Sequence, residues 1–139
     1  MAALGKSSLK TLEGIHPDLV KVIKESIKET PVDFTVTDGV RTTAQQKALY
    51  AKGRTAPGGV VTNADGVKNK SNHQSKADGF GHAVDLYPYV DGKIDFNDTH
   101  GHLPAIAAHI KATAKCMGIK IGWGGDWKGS WDKPHFELL

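Results

Sequence analysis

Two hydrophobic periods alternate along the chain, one helical and one of strand type. Over residues 16–30, HPDLVKVIKESIKET, the apolar positions Leu19, Val22, Ile23 and Ile27 recur at the spacing of one helical face. Pro17 suits the first turn of such a helix. Its end is predicted near Thr30-Pro31, because a residue before proline avoids the helical region. Phe34-Thr35-Val36-Thr37 is β-branched and alternating, hence a short strand. A second helix is predicted from Thr42 or Thr43 to about Lys52, with Thr43 and Gln46 spaced as a capping box and Gly53 as its stop. Ala83 to Val90 reads as a strand, turned by Asp91-Gly92 into Lys93-Ile94-Asp95. A third helix spans about 103–117 through the stripe Leu103, Ile106, Ala107, Ile110, Ala114 and Met117. Asp98 and Thr99 are its capping candidates, and Gly118 its end. Ile119–Gly122 and His135–Leu138 read as two short closing strands. Helices mixed with antiparallel hairpins, without βαβ alternation, predict an α+β fold: a small antiparallel sheet with about three helices.

Residues 53–80 break both periods. They are rich in Gly, Asn, Lys, Ser and Asp, and are read as one long surface loop, a length that in compact domains often marks function. No repeat or linker divides the 139 residues, so a single domain over 1–139 is expected. The net charge of +3 mixes acids among the lysines, which argues against a dedicated nucleic-acid binder. No apolar run approaches the roughly 20 residues needed to span a bilayer, so no membrane insertion is expected. The beginning, MAALGKSSLK, lacks a secretory pattern. The lone Cys116 excludes an internal disulfide and a Cys-rich zinc finger; beside the third helix's stripe, it reads as a buried small hydrophobe. Seven histidines in a chain without cysteine chemistry turn attention to a metal site.

Strand parity narrows that search. In Gly81-His82-Ala83-Val84-Asp85-Leu86, Val84 and Leu86 belong on the core face, which puts Asp85 on the other and argues against His82. In His135-Phe136-Glu137-Leu138, Phe136 and Leu138 face the core, which puts His135 opposite. A carboxylate within an apolar strand is costly unless paired or metal-bound. If the two strands are neighbours, Asp85 and His135 meet on one sheet face, and His73 in the preceding loop could complete a His₂-carboxylate zinc site open to water. Asp132, three residues before His135, is a candidate base. The blander readings are a surface Asp or His, a turn cap for Asp132, and a surface ion pair for Arg41. His100 and His102 read as exposed residues at a helix start, and His16 and His109 as helix-surface groups. Trp123, Trp127 and Trp131 read as core or turn packing in preference to a substrate wall.

The stretch Ser71-Asn72-His73 … Gly81-His82-Ala83-Val84-Asp85 … Asp132-Lys133-Pro134-His135 resembles the M15 family of zinc peptidases, which includes D-alanyl-D-alanine carboxypeptidases and phage L-alanyl-D-glutamate endopeptidases. The likeness extends upstream to Asp38-Gly39-Val40-Arg41-Thr42 and to Gln46 through Thr55, and looks most like the phage endolysin branch. It implies one Zn²⁺ per chain on His73, Asp85 and His135, with Asp132 as general base. It further implies that Arg41 binds substrate and stabilises the oxyanion, and that Ser71 assists binding. The implied substrate is the peptidoglycan stem peptide, cut at its L-Ala–D-Glu bond. The alternatives are D-Ala-D-Ala cleavage by the same site and a non-catalytic wall-binding module. The expected protein is a monomer without a separate wall-binding domain, held in the host bacterial cytoplasm until release to the wall. One departure stands out: 11 residues separate His73 from Asp85, five more than is usual in the family. An ungapped match would put Asp78 at the first ligand position. His73 is preferred because Ser71-x-His73 keeps the local motif and a loop absorbs five residues at little entropic cost.

Overall fold

The computed structural model describes every residue except Met1, Ala2, Val61, Asn63, Lys128, Ser130 and Trp131. Its elements run α1 (Lys6–Thr11), α2 (Pro17–Ser26), β1 (Phe34–Asp38), α3 (Thr43–Ala51), β2 (Ala83–Val90), β3 (Lys93–Ile94), α4 (Leu103–Cys116), β4 (Ile121–Trp123) and β5 (His135–Leu138). This is the expected α+β architecture with one more helix than predicted. The sequence of α1, KSSLKT, carries a single large apolar residue and shows no stripe. Tertiary contact holds it: buried Ser8 accepts a hydrogen bond from the backbone N–H of Val36 at 3.0 Å.

All strand pairs are antiparallel, in the order β1-β2-β5-β4, with β3 hairpinned onto the far end of β2. One sheet face is covered by α2 and α4. Leu19, Val22 and Ile23 from α2 and Ile106 and Ile110 from α4 pack with Val84, Leu86 and Phe136 in a core closed to solvent. Asp98, in a left-handed turn at φ 46°, accepts from the Leu103 N–H at 3.2 Å and caps α4; Thr99 instead donates to Asp95. At α3 the capping box is Thr42 with Gln45, one residue earlier than predicted. Thr42 is extended and accepts from Gln45, which frees Gln46 to point inward, fully buried.

Cys116 is exposed, contrary to expectation, because it lies off the buried stripe that ends at Ala114. His109 is a tie, its Nε2 2.8 Å from the Ser26 carbonyl of α2. Trp123 packs as expected, stacked on Phe136 at 6.4 Å. Trp131 lies outside the described residues. Among the described residues, no helix is long and apolar enough to cross a membrane.

Candidate functional site

Among the described residues of 53–80 there are turns and isolated bridges but no helix or strand, and Thr62, Ala64 and residues 70–73 form one wall of a cleft on the sheet face opposite α2 and α4. The β2–β5 register sets Asp85 directly across from His135, while the neighbouring pairs turn Val84 and Phe136 into the core. His73 enters from the loop, where the Ser71 hydroxyl accepts its backbone N–H at 3.2 Å. Its carbonyl accepts from the backbone N–H of Arg41 at 2.8 Å.

Three ligand-type atoms converge there. His73 Nε2 lies 3.2 Å from His135 Nδ1, and Asp85 Oδ1 lies 3.3 Å from the first and 3.5 Å from the second. A tetrahedral ion with N and O ligands at about 2.0–2.1 Å requires ligand-to-ligand edges of about 3.3–3.4 Å. Both outer ring nitrogens are already engaged: His73 Nδ1 donates to the Gly39 carbonyl at 3.0 Å, and His135 Nε2 donates to Glu137 Oε1 at 2.6 Å. With both rings neutral, those bonds leave the inner nitrogens as lone pairs aimed at one point, the arrangement that outer-shell partners impose on metal-binding histidines. Asp85 Oδ1 is buried and makes no hydrogen bond. An orphaned carboxylate oxygen facing two imidazole lone pairs is expensive unless a proton or a metal ion sits among them. The donor set therefore fits a metal ion.

The electrostatics agree. Burial pushes the Asp85 carboxyl up, but the flanking His135 and His73 outweigh it and hold the group well below the carboxylate range. Burial pushes His135 down, yet Asp85 and Glu137 outweigh it and raise the imidazole to about 9 without a metal. The cluster binds a proton tightly where it could bind a cation.

Asp132 stands at the rim, its Oδ2 3.8 Å from His135 Nδ1, and burial together with the charge of Asp85 raises its pKa. Gly124 lies beneath it: a Cβ there would fall 2.0 Å from the Asp132 carbonyl oxygen, so only glycine allows this approach. Arg41 lies between two carboxylates. Its Nη2 is 2.6 Å from Asp38 Oδ2 and 3.4 Å from Asp85 Oδ2, and its Nη1 donates to Gln46 Oε1 at 3.1 Å. With Nε also on Asp38, one Nη1 hydrogen has no protein partner among the described residues. The cleft of about 420 Å³ also exposes Ser71, Tyr87 and Trp127.

Asp78 stands apart from this cluster, beside His82 and His16. Trp127 is a cleft wall, 4.9 Å from the His135 ring, where packing was expected. Sequence reasoning missed four residues. Glu137 shares the parity of His135 and could have been found by it. Tyr87 likewise shares the parity of Asp85. Asp38 could not be found this way, because a register shift between Val36 and Asp38 moves it off the Phe34/Val36 face and opposite Asp85. Gln46 was misread as a cap.

Comparison with known proteins gives a consistent picture. A family model described as phage L-alanyl-D-glutamate peptidase matches residues 1–138. The L-alanyl-D-glutamate peptidase of Escherichia phage T5 is 35% identical over 146 residues, covering 97% of this chain and 96% of that protein. The peptidoglycan L-alanyl-D-glutamate endopeptidase CwlK of Bacillus subtilis (strain 168) is 31% identical over 133 residues, covering 90% and 74%. The crystal structure of Serratia marcescens L-Ala D-Glu endopeptidase ChiX superposes with a TM-score of 0.75 at 30% identity, covering 96% of this chain and 87% of that one.

Proposed function

The chain belongs to the phage L-alanyl-D-glutamate peptidase family, and from that premise we propose that its cleft hydrolyses the L-Ala–D-Glu bond of the peptidoglycan stem peptide using one zinc ion held by His73, Asp85 and His135. The observation that carries the metal assignment is the orphaned Asp85 Oδ1 between two imidazole nitrogens whose outer atoms are already pinned. Zinc bound there supplies Lewis acidity at the scissile carbonyl and acidifies water.

The chain's own groups do the rest. Asp132 takes the proton of the attacking water on its carboxylate and returns it to the leaving amine. A pKa raised by burial and by Asp85 moves it toward the range where a carboxylate can do both. Arg41 offers its remaining Nη1 hydrogen to the carbonyl oxygen as negative charge grows, while Asp38 and Gln46 keep the guanidinium in place. Ser71 lies on the cleft wall, where it meets the stem peptide and braces the turn that carries His73. Trp127 shields the His135 side of the cleft from water. Likeness to a phage peptidase supports a protein kept in the host cytoplasm until release and then used to lyse the wall.

Mass spectrometry of purified peptidoglycan digested with the zinc-loaded protein tests this reading. New amino-terminal D-Glu is the expected product. Release of D-Ala would move the cut to the D-Ala-D-Ala bond, and wall binding without any product would leave a non-catalytic module.

A further inference from the structure

His16, Asp78 and His82 are used by nothing in the cleft, yet they meet on the outer side of the loop that follows His73. Asp78 Oδ1 accepts the backbone N–H of Phe80 at 2.9 Å, which aims Oδ2 at both imidazoles. That oxygen lies 2.6 Å from His82 Nε2 and 3.9 Å from His16 Nε2. The two rings stand 5.1 Å apart at 71°, and the three ligand-type atoms lie within 4.8 Å of one another. We propose that these residues form a second, exterior metal site for a borderline divalent cation of the zinc class, which clips the 74–80 segment to the start of α2.

The backbone places the two imidazoles before any ion arrives. His16 donates its N–H to the Gly81 carbonyl at 2.9 Å, and Gly81 donates to Gly14 at 3.0 Å. His82 donates to Asn72 at 2.8 Å and accepts from Leu138 at 2.9 Å. Asp78 is the adjustable member: it lies in an exposed stretch, beside Gly79 at φ 84°. Tetrahedral edges of about 3.3–3.4 Å require the Asp78–His82 pair to open from 2.6 Å and the Asp78–His16 pair to close from 3.9 Å, through side-chain rotation and movement of that turn. Two imidazoles and one carboxylate carry a net charge of −1 and prefer zinc-class ions over magnesium or calcium, which favour all-oxygen shells. The side chains are 27%, 39% and 22% exposed, so a fourth position is open to water and binding is weaker than in the buried cleft. One local bond changes on binding. His16 Nδ1 accepts the N–H of Asp18 as the cap of α2, and coordination through Nε2 puts the ring proton on Nδ1. The ion therefore replaces a helix cap with a cross-link between three segments. None of this depends on the peptidase reading.

Zinc titrated into protein already loaded with one equivalent tests the proposal, by calorimetry together with hydrogen exchange of residues 74–80. We expect a second, weaker equivalent that magnesium and calcium do not reproduce, with slower exchange in that segment. Asp78→Asn keeps the acceptor for Phe80, and His16→Asn keeps a good helix cap. Each should weaken the second equivalent by at least about tenfold and leave the first unchanged, since even outer-shell changes cost that much. Absence of a second equivalent overturns the proposal, as does a second equivalent that both variants bind as tightly as the parent.

Discussion

Removing the metal should make stability fall with rising pH, and the structure sets the size and window of that fall. In the chelated protein, His135 holds a proton between Asp85 and Glu137, with a pKa raised from 6.5 to about 9. The folded chain thus binds this proton more tightly than the unfolded chain. The stabilisation is fully present below pH 6.5, fades between 6.5 and about 9, and is gone above. At about 1.4 kcal/mol per tenfold in binding, the whole step is worth about 3 kcal/mol. Such a change is a large fraction of a typical domain's stability of about 5–15 kcal/mol. Urea unfolding of chelated protein at pH 6 and pH 9.5, at fixed ionic strength, reads it directly. His135→Asn removes the titrating group, so the parent should lose about 3 kcal/mol more than the variant across the interval. Parallel pH profiles for parent and variant would refute the gripped imidazolium. Zinc loading should reverse the slope, because a metal ligand has to be deprotonated.

Three further outcomes follow from the cleft. Asp132→Asn should keep one zinc equivalent and lose about a hundred- to ten-thousandfold in kcat, measured on a defined muropeptide; retained turnover would remove it as base. Glu137→Gln loses the carboxylate that pins His135, and zinc affinity measured by competition with a chromophoric chelator should weaken roughly ten- to a hundredfold. Gly124→Ala forces a Cβ to within 2.0 Å of the Asp132 carbonyl and must displace that segment. Turnover should fall by roughly a hundredfold while zinc affinity stays near the parent value.

The sheet and its helices were largely legible because two periods carry most of their information. Val84 and Leu86 facing one way put Asp85 the other way, and the same reasoning through Phe136 turned His135 toward it. Core burial drives both placements, and burial is what hydrophobic periodicity records. What escaped depended on contacts between distant segments. A register shift at Thr37 reverses the parity that would have sent Asp38 into the core. Short α1 owes its helix to packing on β1, with Ser8 bonded to Val36, and not to its own pattern. Trp127 caps the one-turn 3-10 helix Gly124–Asp126, too short for a period to show. Asp78 and His82, four residues apart, reveal their partner His16 only once Ile15 bridges Gly81.

In the proposed site one metal ion joins the loop histidine to the two strands. A crystal of protein reconstituted with one equivalent of zinc, measured at the zinc absorption edge, tests it most directly. Zinc in that site gives an anomalous peak at about 2.0–2.2 Å from His73 Nε2, Asp85 Oδ1 and His135 Nδ1 together. An active crystal with no peak among those three atoms, and zinc elsewhere or absent, would contradict it.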